Sequence, residues 1–354
     1  MNGKERVLAH LAGQPVDCLP LMPITMMFAT DQIGIPYGRY ATDYKVMVEA
    51  QIRTAERFDL DYVSAISCPT READDCGARI QYYPDQPPAI DEVNALLSDK
   101  ATLKTLRMPD PSQGRRMSDR IRAIEAFKRE VGNDKFIEGW VEGPCAEGSD
   151  LRGINRLMVD FIDDPAFIAE LFDFAVTLGL RFAKLQIEAG ADIIGVGDAA
   201  ASLAGPRMYE QYVWPAEKRL VDGIHAMGGR VRLHICGNTR KILKGMGQLG
   251  CEIVDLDFMT PVVEGRAMMG PNQVILGNID PVRALRNSTP EKVHAAIAEC
   301  HAQAGSRYIV GAGCEVPRDT PVENMRALCC YAREQQPSSR VEHDYEQLRK
   351  SVTT

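Results

Sequence analysis

Short apolar runs that end in Gly, Asp, Asn or Cys recur along the chain, and longer stretches with helical periodicity separate them. Eight such runs, at 19–26, 61–68, 136–143, 191–198, 230–237, 252–258, 273–280 and 307–313, predict buried strands. The intervening segments carry helix punctuation. Thr289 is placed to cap a helix that begins at Pro290 and stops at Gly305, and Asp164-Pro165 opens another running to Gly190. Further amphipathic helices are predicted at about 43–58, 118–131, 206–227 and 321–334.

Strands alternating with helices eight times predict an α/β fold, a (β/α)8 TIM barrel, in which functional groups gather where strands end and βα loops begin. The polar or thiol side chains at those ends are Cys68, Glu142, Asp198, His234, Cys236, Asp255, Asp257, Asn278, Asp280 and Cys314. Any one of them serves equally well as a cap for the next turn; their convergence is what the barrel adds. The stretch 69–118, with Tyr83-Pro-Asp-Gln-Pro-Pro88 inside it, reads as an elaborated second βα connection that covers the barrel mouth. The competing topology is a doubly wound sheet. Its only support is Gly311-Ala-Gly313, where Val316 stands at the third glycine's place and Pro317 disrupts the helix start. Phosphate-loop, GxSxG and HExxH motifs are all missing.

Composition narrows this further. A chain of 354 residues without a Pro/Gly/Ser-rich linker is expected to form one barrel-sized domain spanning 1–354. A formal net charge of −8, without basic blocks, argues against a nucleic-acid or anionic-membrane surface. No run approaches membrane-span length and the first residues lack an apolar signal core, so a cytoplasmic location is expected, with the ten cysteines reduced.

The candidate chemistry lies in Arg230-Val-Arg-Leu-His-Ile-Cys-Gly237. Residues two apart on a strand share a face, so His234 and Cys236 project together. Cys314 ends another apolar run and meets them if the strands lie side by side. One imidazole and two thiolates form a soft, zinc-favouring set that leaves a coordination position open, whereas structural zinc sites usually close with four protein ligands. The bland alternative is a core histidine among small buried cysteines.

With those residues placed, the chain resembles the uroporphyrinogen decarboxylase superfamily, and within it the zinc-dependent, corrinoid-linked methyltransferase branch that contains methylcobamide:coenzyme M methyltransferases. The resemblance runs through Val141-Glu-Gly-Pro-Cys-Ala-Glu-Gly148, His234-Ile-Cys-Gly-Asn-Thr239, Leu276-Gly-Asn-Ile-Asp280 and Gly311-Ala-Gly-Cys-Glu-Val-Pro317. It implies Zn2+ held by His234, Cys236 and Cys314, and methyl transfer between a corrinoid and a small-molecule donor or acceptor such as a thiol or a methoxylated compound. It departs from the decarboxylases: Pro23-Ile-Thr-Met-Met-Phe28 has no basic residue, and the second run ends in Ser67-Cys68-Pro69 without their aspartate. The chain lacks an Asp-x-His-x-x-Gly corrinoid signature, so the cobalamin is expected in trans, on a separate corrinoid protein. Glu142 is the carboxylate expected near the metal, as fourth ligand or beside it, with Cys68 and Cys145 as competitors. Asp198, Asp280 and Asn278 are candidates to bond the ligating histidine or a polar substrate. Trp140 and Trp214 would help to bind a cationic substrate if they face the mouth. A homodimer is compatible with the resemblance, although no residue demands one. Three alternatives stay open: a cobalamin-independent thiol methyltransferase, a decarboxylase of the superfamily's founding type, and a non-catalytic zinc protein.

Overall fold

The computed structural model of the protein describes residues 1–335, so the last part of the expected 1–354 domain lies outside the described residues. Its strands are β1 Tyr62–Ser64, β2 Ile80–Gln81, β3 Ala89–Ile90, β4 Phe136–Glu142, β5 Ile193–Gly197, β6 Val231–Ile235, β7 Ile253–Leu256, β8 Val274–Leu276 and β9 Tyr308–Ile309. Seven of them form one parallel sheet in the order β1-β4-β5-β6-β7-β8-β9. Each neighbour in space is the next in that series, as repeated βα units demand. The β2–β3 ribbon lies within the long second connection.

The predicted first strand, 19–26, is the main departure. Leu21 alone bridges to Val310, with Met22 N donating to Val310 O at 3.0 Å and Val310 N to Pro20 O at 2.9 Å. On its other side Asp61 N, just before β1, donates to Leu21 O at 3.1 Å. The two edges of the sheet therefore meet the same segment. Pro20 and Pro23 have no amide hydrogen, which leaves the run too few donors for a longer ladder.

Most helices start and stop near their punctuation, although Thr289 makes no side-chain cap bond to the helix Pro290–Ala304. Asp43 caps Tyr44–Arg57 by accepting from Lys45 N, and Asp164 caps Pro165–Ala189 by accepting from Phe167 N. Gly190 ends the latter in the left-handed conformation, as an αL cap requires. The helix predicted from 118 begins earlier, as Arg115–Glu130, because the Asp75 carboxylate accepts from Arg116 N and Met117 N across a loop. The helix predicted over 206–227 is broken by a π turn at Tyr209–Val213 before Trp214–Ala226. Pro215 cannot complete an ordinary helical bond there, and the register shifts.

Inside the sheet, Trp140 of β4 lies on the backbone of β5. A Cβ at Gly195 would come 2.1 Å from the indole and one at Gly197 2.9 Å, so both positions must lack a side chain. On the outer face, Gln186 of Pro165–Ala189 bonds both backbone groups of Trp140, at 2.8 and 3.0 Å.

Candidate metal centre

Strand alternation on β6 turns Arg232 and His234 to one face, and Cys236 follows just beyond the strand. Cys314 follows the Ala312 bridge beyond β9. His234 Nε2 lies 3.1 Å from Cys236 Sγ and 3.8 Å from Cys314 Sγ, and the two sulfurs are 4.0 Å apart. Tetrahedral zinc, with Zn–S near 2.3 Å and Zn–N near 2.0 Å, spaces its ligand atoms about 3.5–3.8 Å apart. The donor set therefore fits such an ion. Among the described residues no other group of three or more His, Cys, Asp or Glu ligand atoms comes together in this way. All ten cysteines are free thiols.

Backbone chemistry tightens the cradle. Asp257 accepts from Gly237 N and Met259 N, both at 2.9 Å, and so ties the loop after Cys236 to the loop after β7. Gly313 is packed so closely that a Cβ would meet Phe258 N at 2.4 Å.

The histidine rests on a buried chain of charges. Its Nδ1 lies 3.2 Å from Asp255 Oδ2 on β7. Arg232 contacts Asp255 and bonds Glu138 of β4 at 3.0 Å, and Ser64 Oγ donates to Glu138 at 2.7 Å. All four of these residues are fully buried. Burial alone would pull the imidazole pKa down, but Cys236 and Asp255 beside it reverse the direction and hold it up. Burial likewise opposes ionisation of Asp255, and Arg232 and His234 overcome it. The hydrogen bond from Cys236 holds the Cys314 thiol down to about 4, with His234 adding to the effect. The three groups thus share protons, with negative charge favoured on Cys314 and positive charge on the imidazole, and a cation bound among them would take the place of those protons.

The remaining sequence candidates fall elsewhere. Glu142 shares the register row of His234, through Gly197, but its carboxylate bonds Arg71 at 2.8 Å and stays outside the three-ligand cluster. Cys68 lies 3.0 Å from Arg116 Nη2 and 3.3 Å from Thr70 Oγ1. Cys145 is buried at the start of the helix Pro144–Arg152, where Asp198 accepts from Cys145 N and Ala146 N. Burial pushes the Asp198 carboxyl up to about 7. Asp280 caps the following turn through Val282 N and Arg283 N, and Asn278 donates to the Asp257 and Thr260 carbonyls. The carboxylate at His234 is therefore Asp255, not Asp198 or Asp280. Trp140 covers Gly197, the register partner of His234, whereas the Trp214 indole N–H is committed to Gly245 O. Sequence reasoning overlooked Arg232 and Glu138 as its support. Their signal was a charged residue at period two inside an apolar strand, Arg232 before His234 and Glu138 before Glu142.

Comparison with known proteins agrees with this architecture. The chain is 27% identical over 333 residues to the methylcobamide:CoM methyltransferase MtaA of Methanosarcina barkeri, covering 92% of this chain and 96% of that one. It is 28% identical over 338 residues to a methylated-thiol–coenzyme M methyltransferase of Methanosarcina mazei, covering 92% and 88%. The solved structure of a methyltransferase from Methanosarcina mazei superposes with a TM-score of 0.85 at 25% identity, over 94% of this chain and 99% of that one. Residues 2–335 match the family described as uroporphyrinogen decarboxylase (URO-D), and the chain belongs to that family.

Proposed function

We propose that the protein is a zinc-dependent methyltransferase that moves a methyl group between a corrinoid and a small thiol or methoxylated compound. The observation that carries this reading is the His234–Cys236–Cys314 cluster, whose ligand atoms lie within 4.8 Å of one another at the strand ends. Similarity to corrinoid-linked methyltransferases over nearly the whole chain supports it. We read the seven-stranded sheet, with Leu21 between its edges, as a (β/α)8-type barrel.

Zinc, when bound, lowers the pKa of a coordinated thiol while leaving its sulfur nucleophilic. In this reading His234, Cys236 and Cys314 hold the ion, and two thiolates with a neutral imidazole leave the site uncharged before substrate arrives. Asp255 fixes the imidazole so that Nε2 faces the thiols, with Arg232 and Glu138 anchoring Asp255. Glu142, with Arg71, is the carboxylate we assign to the substrate space on the same register row. Asp198, Asn278 and Asp280 act by holding the loops around it. The corrinoid comes on a separate partner protein. A decarboxylase reading has less support, because the segment 23–28 brings Ile24 and Met26, not cations, to the barrel interior.

The test is zinc-edge X-ray absorption on the purified protein, with and without added thiol, beside Cys314→Ala. The expected result is near-stoichiometric zinc with two sulfur ligands, a third sulfur when thiol is added, and loss of zinc in the variant together with methyl transfer from methylcobalamin. A protein that purifies without zinc, and does not take it up, would sink the reading.

A further inference from the structure

We infer that the thiol taken at the metal has an uncharged hydrocarbon body, and that Ile24, Met26, Ile66 and Trp140 form the wall that selects it; this rests on the methyltransferase reading above. Ile24, Ile66 and Trp140 make an apolar cluster separate from the main core, with half-buried Met26 packed on it. Two independent contacts bring this cluster to the metal ligands. Ile24 O accepts from Val316 N at 2.8 Å, and Met27 N donates to Glu315 Oε1 at 2.7 Å, so the segment runs beside Cys314. On the other flank Trp140 covers Gly197, whose register partner is His234.

Charge points the same way. Arg232 is engaged by Glu138 and Asp255, Arg71 by Glu142 and Glu72, and Arg318 by Asp31 and Asp85. The buried Arg116 beside Cys68 donates to its Sγ, to Tyr82 Oη and to Ala41 O. The carboxylates next to the ligands, Asp257 and Glu315, are satisfied by backbone amides. An anionic tail such as a sulfonate would have to give up its hydration without gaining a guanidinium, while facing those carboxylates. A hydrocarbon body only gains by leaving water. Coenzyme M, a thiol with a sulfonate tail, is therefore a poor match for this wall, although it is named in the relatives' activities.

The experiment is calorimetric titration of the zinc-loaded protein with butane-1-thiol, phenylmethanethiol, 2-sulfanylethanesulfonate and the cationic thiocholine, with indole fluorescence followed in parallel. Neutral thiols are expected to bind about tenfold or more tightly than the sulfonate, quenching fluorescence that Trp140→Phe removes. Met26→Lys, at a half-buried position outside the ligand set, is expected to raise sulfonate affinity with zinc content unchanged. Equal or tighter binding of the sulfonate or of thiocholine would overturn the inference and leave the zinc reading intact. If no thiol binds or adds sulfur to the zinc edge, this inference falls, and the reading above keeps only its methoxylated substrate.

Discussion

Asp255 shows how one side chain joins the core to the chemistry. It is buried, takes Arg232 on one side and His234 Nδ1 on the other, and so leaves Nε2 as the imidazole nitrogen that faces the two cysteines. Asp255→Asn keeps the shape but loses the charge, and we expect zinc affinity to fall by about 10–100-fold with the fold retained, as measured by competition with a chromophoric chelator. An unchanged affinity would mean that packing alone orients the ring. Glu147 illustrates the opposite situation. It is buried, neither carboxylate oxygen has a hydrogen-bond partner, and burial followed by Glu72, Asp150 and Glu142 pushes its pKa well up. The folded protein therefore keeps a proton that the unfolded chain releases above about pH 4.3, so stability falls as pH rises from there toward the folded value. Glu147→Gln should remove that part of the slope and stabilise the protein more at pH 8 than at pH 5. Thermal melts at the two pH values decide it; parallel shifts would show that Glu147 is ionised throughout.

At the scale of the element, β5 is shaped by what it must leave out. Gly195 and Gly197 give up side chains so that Trp140 can lie across the strand beside His234. Gly195→Ala would place a methyl 2.1 Å from the indole, and the ring would have to move. We expect a loss of about 1–3 kcal/mol in urea denaturation, largely recovered when Trp140→Leu is added. No recovery in the double variant would locate the strain in the backbone instead. The same strand shows what the sequence can and cannot tell. Apolar runs marked β5, β6 and β7 because both their faces are buried, and the His-x-Cys spacing marked the shared direction of His234 and Cys236 because strand alternation is strictly local. The partnership of Trp140 with two glycines and that of Asp255 with His234 cross between strands. No periodicity within one segment encodes them. The early start of Arg115–Glu130 was hidden for the same reason, since its cap, Asp75, belongs to another helix.

Across the whole molecule, the order of seven strands and the place of 19–26 between the first and last of them were legible because each βα unit repeats the same apolar punctuation. The shrinking of that run to one bridge at Leu21 was not, because it depends on how few amides Pro20 and Pro23 leave for two neighbours at once. Asp61 gathers the segments around that bridge. Its carboxylate accepts from Leu21 N at 2.7 Å and from Arg333 Nη1 and Nη2 at 3.1 and 3.0 Å, and contacts Arg6. Its backbone bonds Leu21 O and accepts from Phe136 N. One buried residue thus links the N-terminal helix Gly3–Leu11, the Leu21 bridge, β4 and the helix Val322–Glu334. Removing it leaves Arg6 with Asp17 as its remaining carboxylate and Arg333 with the exposed Asp59, and strips Leu21 N of its buried acceptor, so Asp61→Ala should cost about 1–3 kcal/mol. Asp61→Asn keeps an oxygen for Leu21 N and should cost less. Because Leu21 leads directly into Ile24 and Met27 beside Cys314, the alanine variant should also lose zinc at lower urea than the wild type, before the remaining helices melt. Urea titrations followed by circular dichroism and by zinc release test this. If the two signals stay coincident and the midpoint barely moves, the sheet edges are held by their own ladders, and Asp61 is a bystander.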